Sequence, residues 1–172
     1  MILIGISGKK RTGKNTVAGI IKSLTNLSVK EFSFADELKK DVSRMCKTNI
    51  AAIETNKELY REMLQAWGMY KRKSVGSDYW IAQTFQNILN DESNIAIITD
   101  VRFRNEYEYI RKIGGLLVRV SRDTGLIDQH PSETELDSVH DFDVIILNTG
   151  TLEHLTEDVK EMMVKFNITV KK

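Results

Sequence analysis

The hydrophobic pattern of the chain alternates between short continuous apolar runs and apolar stripes with helical spacing. Residues 1–7 form a short apolar run that is typical of a buried strand, and residues 16–24 place their apolar side chains on one helical face. The pattern predicts further strands at 28–34, 95–100, 116–120 and 143–147. It predicts further helices at 35–47, 53–67, 79–89, 106–112 and 152–166, with Asp78 and Thr151 as the caps of the third and the last.

Two stretches between these elements carry neither pattern. Residues 68–76 contain Lys71, Arg72 and Lys73 and are predicted to form a cationic loop. Residues 122–142 are polar and without strand signals. The spacing of Ser132 and Glu135 within them favours a capping box, so part of this stretch is predicted to be a short helix.

The order of strands and helices fixes the fold class. Five strands with intervening helices predict an α/β fold with a doubly wound, mostly parallel five-stranded sheet and helices on both faces. At 172 residues the chain is predicted to be one domain, with a helical insertion at about 36–92 and a lid at about 122–142. Ligands of such sheets bind at the carboxyl ends of the strands. That rule brings together the loop after Ser7 and the strand-end residues Asp36, Asp100, Arg122 and Asn148.

Composition excludes several classes of function. The 25 basic and 24 acidic residues nearly balance, so the chain is not predicted to bind nucleic acid directly. No apolar run approaches the roughly 18 residues of a membrane span. With one cysteine, Cys46, an internal disulfide is excluded, and a buried apolar position in a reducing compartment is expected. We therefore expect a cytoplasmic protein that binds a small molecule and no membrane, with homodimer formation left open.

Residues 8–16 carry the strongest chemical signal. Their order, Gly-Lys-Lys-Arg-Thr-Gly-Lys-Asn-Thr, has the spacing of a phosphate-binding loop and lies between a predicted strand and a predicted helix, as that motif requires. The two glycines let successive amide groups surround an anion beside the helix N-terminus, and the lysine after them is predicted to reach the β- and γ-phosphates. The alternative is a glycine turn before an ordinary helix. The predicted ATP-binding residues of the loop are Gly8, Lys9, Arg11, Thr12, Gly13, Lys14, Asn15 and Thr16.

Asn15 departs from the usual motif, which has Ser or Thr directly after the lysine as a ligand of Mg²⁺. The metal is then expected to be held through water or by an acid elsewhere. Thr16 is still able to donate its hydroxyl to a phosphate. The departure argues against a standard GTPase or motor ATPase and is compatible with a small kinase that binds Mg²⁺ loosely.

An acid closes the third predicted strand, as in a Walker-B segment. The Asp100 carboxylate is predicted to lie near Lys14, where it holds Mg²⁺ through water or orients an acceptor phosphate. A helix cap or a solvated turn is the alternative. Arg102 and Arg104 follow, and guanidinium groups match phosphate bidentately, so one or two residues here are expected to grip an anion.

The predicted insertion supplies candidates for binding a phosphate acceptor. Arg61, Gln65, Trp67 and Arg72 lie between the second and third strands, where mononucleotide-binding cores place an acceptor lobe. The Gln65 amide is suited to reading a base edge. Trp67 and Trp80 either stack on a base or fill the core.

The remaining candidates follow the last two strands. Arg122 is predicted to close over the transferring phosphates as part of the lid, whereas all three histidines are interpreted as incidental, because phosphoryl transfer depends on positioning and charge. Asn148 and Gly150 are predicted to lie near the adenine of ATP, with an ordinary turn and helix cap as the alternative.

Taken in order, these segments resemble the bacteriophage deoxynucleoside monophosphate kinases, a branch of the P-loop nucleoside monophosphate kinase fold. The more specific pieces are Phe-Ala-Asp at 34–36 and Asp-Val-Arg-Phe at 100–103. Family members usually carry Asp where this chain has Asn15. The segments that carry the resemblance span nearly the whole chain and are 7–18, 34–39, 64–68, 78–80, 99–106 and 148–151.

The resemblance implies transfer of the ATP γ-phosphate to a deoxynucleoside monophosphate (dNMP), with Mg²⁺ as cofactor and, for a phage protein, in the host cytoplasm. The implied catalytic residues are Lys14, Asp100 and Arg122, with Asn15 and Asp100 at the metal. Kinases of phosphomevalonate and dephospho-CoA share the core and are alternatives. The implied acceptor-binding residues are Asp36, Lys39, Arg61, Gln65, Trp67, Arg72, Asp78, Trp80 and Arg102.

Two other classes of nucleotide-binding protein would require different residues. A GTP switch needs a guanine-reading Asn-Lys-x-Asp after a strand, and the nearest match, at 56–59, lacks the Asp and follows no strand. A non-catalytic nucleotide-binding module would keep the loop and lose the phosphate-binding arginines. Because this chain is rich in such arginines, a kinase is the favoured class.

Overall fold

The computed structural model describes residues 1–125 and 128–171. They form two compact units: a sheet unit, Met1–Glu31 with Glu92–Lys172, and a helical unit, Phe32–Asp91. The helical unit has nearly the range of the predicted insertion at 36–92. The assignment of this range to acceptor binding, and of 122–142 to a lid, stays a prediction.

The strands confirm the predicted sheet. They are β1 (Ile2–Ser7), β2 (Val29–Phe32), β3 (Ile95–Val101), β4 (Leu116–Ser121) and β5 (Val144–Leu147). Their order is β2-β3-β1-β4-β5, and β1 pairs in parallel with β3 and β4, as β4 does with β5. The central strand β1 is therefore flanked by two strands that come much later in the chain, which is the arrangement of a doubly wound sheet.

The helices confirm the predicted alternation of the two element types. They are α1 (Lys14–Leu24), α2 (Ala35–Met45), α3 (Ile50–Thr55), α4 (Lys57–Ser74), α5 (Tyr79–Leu89), α6 (Arg104–Lys112), α7 (Pro131–Thr134) and α8 (Leu152–Lys165). In the part of the chain that the structure describes, none of them is long and apolar enough to cross a membrane.

Helices cover both faces of the sheet. Val17 and Ile21 of α1 and Val159 and Met163 of α8 are fully buried with the β1 side chains in one apolar core. On the opposite face α6 lies close to β1, since a Cβ at Gly5 would come within 2.9 Å of Ile110 Cδ1. Helices thus cover β1 on both faces, and the loop that follows β1 leads directly into α1.

The helical unit has its own small core. Phe85 of α5 is 7% exposed, Val42 of α2 and Ile53 of α3 are fully buried, and Trp80 of α5 is 4% exposed. The indole Nε1 of Trp80 donates to the Gly68 carbonyl of α4 at 3.2 Å. This hydrogen bond satisfies the one polar group of the ring, so Trp80 fills the core, which is the second of the two roles considered for it.

The prediction for residues 53–76 is wrong in two respects. Asn56 has φ −113° and ψ 40° and interrupts the predicted helix, which divides into α3 and α4. The predicted cationic loop at 68–76 is helical as far as Ser74. Lys71, Arg72 and Lys73 are good helix formers and lie in the last turn, where cations interact favourably with the helix dipole.

The helix caps differ from their predictions in two of three cases. Thr151 caps α8 as predicted, because its side chain accepts from the His154 amide. Asp78 occupies the N-cap position of α5, as predicted, but among the described residues its side chain makes no capping hydrogen bond there. The capping box predicted at Ser132 is wrong: α7 begins at Pro131 and its cap is His130, whose ring accepts from the Ser132 amide, although the short helix predicted in this stretch is confirmed. His130 therefore caps α7, and the interpretation that the histidines take no part in the chemistry stays a prediction.

Candidate phosphate-binding site

The loop between β1 and α1 requires glycine at both ends. Gly8 has φ +151°, and a Cβ there would lie 2.4 Å from the Val120 carbonyl oxygen. Gly13 has φ +103°, and its Cβ would lie 2.4 Å from Asn148 Nδ2. Side chains rarely adopt such φ values and the neighbouring atoms leave no room for one. The glycine spacing of the motif is thus a steric requirement of this backbone.

Asn148 fixes the loop from the end of β5. Its Nδ2 donates to the Thr12 carbonyl at 2.8 Å, and both residues are buried. The Thr12 hydroxyl in turn donates to the Lys9 carbonyl at 2.9 Å, which closes the loop on itself. The predicted place of Asn148 beside adenine remains a prediction. What the structure adds is a contact that spacing in the sequence does not reveal, between a loop near the start of the chain and a strand near its end.

Lys14 folds back onto the loop. Its Nζ donates to the carbonyls of Gly8 at 2.6 Å and Lys9 at 2.7 Å, and the residue is 9% exposed. Burial, followed by the nearby Arg102 guanidinium, lowers the pKa of Lys14 from 10.5 to about 8, although Glu133 and Asp100 act in the opposite direction. The ammonium therefore lies among the loop carbonyls, in a position where a phosphate oxygen is a better partner than a neutral carbonyl.

Charged residues from β3, β4 and α7 gather around Lys14. Arg102, Glu133, Asp100 and Arg119 are the charges that act on its pKa. Asp100 is half-buried near the end of β3, and its role as a Walker-B acid stays a prediction. The Arg102 guanidinium donates to the Ser132 carbonyl at 3.2 Å and forms an ion pair with Glu133. The site is thus a cluster of positively and negatively charged side chains in which the cations outnumber the acids.

Glu133 is the residue that sequence reasoning missed. The residue is 7% exposed, and its carboxylate accepts from the Lys10 amide of the loop at 2.8 Å, besides its ion pair with Arg102. Asp137, in the same segment, pairs with Lys9 at 2.8 Å and with Arg119 at 2.9 Å. The sequence contains a signal for this contact. Acidic residues stand at 133, 135 and 137, and the three consecutive cations at 9–11 of the phosphate loop need negatively charged partners.

The remaining loop residues and Arg122 face solvent. Asn15 and Arg122 are exposed, and so are Lys9, Arg11, Thr16 and Gly150. No group of three or more His, Cys, Asp or Glu side chains in the described residues could hold a metal ion. Mg²⁺ in kinases is bound by one or two carboxylates with substrate phosphates and water, not by a protein cage. The single half-buried carboxylate of Asp100 and the exposed Asn15 amide fit that kind of site.

In the helical unit, three predicted acceptor residues share one stripe of α4. Arg61, Gln65 and Arg72 are all half-buried, and their spacing of four and seven residues places them on the same helical face. Arg61 Nε pairs with Glu58 at 3.1 Å. The same face of α4 thus carries two guanidinium groups, three turns apart, and an amide between them, which are groups able to bind phosphate and a base edge.

The other predicted acceptor residues of this unit make local contacts. Trp67 Nε1 donates to Asp41 at 3.1 Å, and the Lys71 ammonium lies 5.3 Å from its ring centre. Lys39 pairs with Asp36 at 3.2 Å and with Glu54 at 2.8 Å. Asp78 is exposed. Apart from the buried Trp80, these side chains lie at or near the surface of the unit.

The fold defines the class of protein. The structure is similar to a gluconokinase from Sinorhizobium meliloti 1021, with a TM-score of 0.53, 12% identity and coverage of 96% of this chain and 93% of that one. It is also similar to shikimate kinase from Acinetobacter baumannii in complex with shikimate, with a TM-score of 0.51, 13% identity and coverage of 98% and 96%. Together with the phosphate loop, these similarities define a P-loop kinase fold.

Sequence comparison gives the family. The family model described as "Phosphomevalonate kinase" matches residues 6–115. A protein of Acanthamoeba polyphaga mimivirus, described as "Putative deoxynucleotide monophosphate kinase", is 31% identical over 186 residues, which cover 92% of this chain and 94% of that protein. The chain belongs to the phosphomevalonate kinase family of P-loop kinases and is an ATP-dependent small-molecule kinase.

Proposed function

We propose that this kinase transfers the γ-phosphoryl group of ATP to a dNMP and releases a deoxynucleoside diphosphate and ADP. The observation that carries the proposal is the 31% identity to the viral relative, whose description names this substrate class, over 92% of this chain. The match extends over both units. It therefore includes the helical unit, where the proposed acceptor residues lie.

The sheet unit supplies the groups for the donor phosphates. In the proposed reaction a dNMP phosphate oxygen forms a bond to the γ-phosphorus while the bond to the β–γ bridging oxygen breaks. Negative charge spreads over the transferring oxygens, and fixed cations stabilise it. Lys14 and Arg102 are the buried and half-buried cations for that role, and the exposed Arg122 is proposed to join them from the lid.

The helical unit supplies groups of the kind that bind a nucleotide. On α4, Arg61 and Arg72 are suited to the acceptor phosphate and Gln65 to a base edge. Trp67 lies on another side of α4, where its ring stacks on Tyr70 at a centroid distance of 5.2 Å, and it stays in the proposed set by resemblance. Asp36, Lys39 and Asp78 complete the proposed set by resemblance, whereas Trp80 is kept in it only as the core residue that supports α4 through its bond to Gly68.

The metal is proposed to be held by Asp100 and Asn15, largely through water. A bound Mg²⁺ neutralises charge on the phosphates and orients them. The proposed ATP contacts of the protein are the amides of the loop, the Thr16 hydroxyl and, near the base, Asn148 and Gly150. Because Asn148 also holds Thr12 in place, its contribution to ATP binding includes the shape of the loop.

Phosphomevalonate is a second candidate acceptor, because the family model that matches residues 6–115 bears that name. Both acceptors present a phosphate, which the arginines of α4 would bind equally well. Only a nucleotide has a base, so the nucleotide proposal alone gives Gln65 and Trp67 a function in recognition.

The test is ATP turnover with a panel of acceptors: the dNMPs, the ribonucleoside monophosphates, phosphomevalonate and dephospho-CoA. We expect at least one dNMP to stimulate ADP release well above the rate without acceptor. Arg61→Gln should then raise the KM for dNMP about tenfold, the effect of losing one charge-assisted contact. Lys160→Gln is the control, since Lys160 is an exposed cation of α8 whose ion pair with Glu157 likewise joins residues three apart on one helix. Stimulation by phosphomevalonate or dephospho-CoA alone would overturn the dNMP assignment.

A further inference from the structure

We propose that Glu133 is a built-in competitor of the nucleotide: its carboxylate occupies the anion-binding position of the phosphate loop and must leave before a phosphate chain can bind. We call its contacts with Lys10 and Arg102 the latch. The inference concerns how the loop is kept closed, which goes beyond the transfer reaction itself.

The partners of Glu133 are those that a phosphate oxygen would have. One carboxylate oxygen accepts from the Lys10 amide at 2.8 Å, and that amide belongs to the loop whose amides surround an anion. The other oxygen is paired with the Arg102 guanidinium. An amide and a guanidinium together are a phosphate-type donor set, and a carboxylate is the side chain that most closely imitates a phosphate oxygen.

The burial of Glu133 distinguishes its contact with the loop from a chance contact between surface side chains. Glu133 is 7% exposed, whereas Glu135 and Asp137 in the same segment are exposed. A buried carboxylate is costly unless it is paired and hydrogen-bonded. Glu133 lies on the four-residue helix α7, which His130 caps, so the backbone that presents it to the loop is ordered locally.

The charge balance of the site explains why such a competitor stabilises the empty loop. Lys14, Arg102 and Arg119 are gathered there, and the acids acting on Lys14 are Glu133 and Asp100. Asp137 already pairs with Arg119, so without Glu133 the Arg102 guanidinium would lose its carboxylate partner beside the Lys14 ammonium. A bound triphosphate brings several negative charges of its own. The latch thus stabilises the loop when no phosphate is bound, and a bound phosphate chain replaces the charge of Glu133.

The consequence is a lowered apparent affinity for any phosphate chain. When only the open state binds, the observed dissociation constant equals the intrinsic one divided by the open fraction. Glu133→Gln keeps the size of the side chain and an acceptor for the Lys10 amide but loses the ion pair with Arg102. We expect it to bind ATP about tenfold more tightly than the wild type does, the order of one charge-assisted contact.

The experiment is calorimetric titration of the full chain with ATP, with tripolyphosphate and with adenosine. Glu133→Gln should tighten binding of ATP and of tripolyphosphate by the same factor and leave adenosine unchanged, because the competition is for the phosphate position. Glu135→Gln is the matched control: Glu135 lies two residues away and accepts from the Arg104 amide, outside the loop. Its affinities should stay within about twofold of the wild type.

A folded Glu133→Gln protein that binds tripolyphosphate no more tightly than the wild type, or more weakly, would overturn the latch and make Glu133 a positioning residue for Arg102. Glu133→Asp tests the same point if the glutamine variant does not fold, since its shorter carboxylate cannot reach both partners and should give an intermediate gain. These titrations use no acceptor. Their outcome is therefore independent of which acceptor the turnover assay identifies.

Discussion

The charges around the phosphate loop and the charges of the helical unit are paired in different ways. Near the loop the partners come from different elements: Glu133 of α7 pairs with Arg102, which follows β3, and also accepts from the Lys10 backbone amide, 123 residues away. In the helical unit most ion pairs join residues three apart on one helix, as between Arg61 and Glu58. A buried contact between distant segments holds the loop in one conformation. A residue in a local surface pair can leave its partner and bind a ligand at little cost in free energy.

The energies expected of the two kinds of pair differ accordingly. Exposed pairs within a helix contribute about 0.3–0.5 kcal/mol, since each charge is also well solvated without its partner. Breaking a buried pair leaves an uncompensated charge or polar group and costs several times more. Substitutions near the loop should therefore change function and stability strongly, and substitutions in the helical pairs should change stability weakly.

The largest effect is expected for Lys14→Met. The change keeps most of the bulk of the side chain and removes the ammonium that the loop carbonyls hold in place. We expect kcat to fall by about 10²-fold or more, the scale of losing one preorganised electrostatic group. Steady-state kinetics with ATP and the acceptor is the measurement, beside a thermal melt of the free protein to show that it is folded. A variant that turns over at the wild-type rate would remove the phosphate loop from the mechanism.

Asn148→Ala should have the next largest effect, because it disconnects the loop from β5. The buried Thr12 carbonyl loses its partner, which we expect to lower the free energy of unfolding by about 1–3 kcal/mol. ATP affinity should fall as well, since the loop is no longer held in shape. Urea unfolding measures the first quantity and calorimetry the second, with the exposed neighbour Thr149→Ala as control. Unchanged unfolding of Asn148→Ala would show that the loop keeps its shape unaided.

The sheet and the loop could be predicted from the sequence because both depend on local patterns. The apolar runs of β1 and β3 and the glycine spacing at positions 8 and 13 are short-range features with one good structural solution. The contacts that complete the site could not be predicted in this way. The carboxyl-end rule brings Asn148 to the loop, but neither its bond to the Thr12 carbonyl nor the contact of Glu133 with the loop is recorded in a single sequence.

The helical unit was harder to predict for a different reason. The run from Lys71 to Lys73 is equally compatible with a solvated loop and with the last turn of a helix, and the preceding turns of α4 decide between them. Asn56 suits both a turn and a helix end, so periodicity alone did not show the break between α3 and α4. These errors of prediction lie in segments that are rich in charged and polar residues and that contain few apolar residues with helical spacing.

The pKa of Lys14 predicts how ATP binding depends on pH. Burial and Arg102 lower it from 10.5 to about 8, so the ammonium loses its proton as the pH rises through 8. Only the protonated form attracts phosphate, and we expect the dissociation constant for ATP to rise about fivefold between pH 8 and pH 9. Calorimetry across this range measures it, and the slope should disappear in Lys14→Met. A wild-type affinity that is flat up to pH 9.5 would contradict the lowered pKa.

The smallest effect is expected in the helical unit, at Glu54. Burial acts to raise the pKa of this carboxyl, but hydrogen bonds from Lys39 and Lys57 outweigh it and hold the pKa below 4.5. Because the folded pKa is lowered, the stabilisation is present above pH 4.5 and is lost as the pH falls through the folded value. With 36% of the side chain exposed, solvent screening limits the contribution to about 0.5 kcal/mol. Urea unfolding of the wild type and Glu54→Gln at neutral and acidic pH should show this small difference narrowing in acid. If Glu54→Gln lowered the free energy of unfolding by more than about 2 kcal/mol at neutral pH, the ion pairs of Glu54 would be as strong as buried ones. The pairs of the helical unit would then not be weaker than those near the loop.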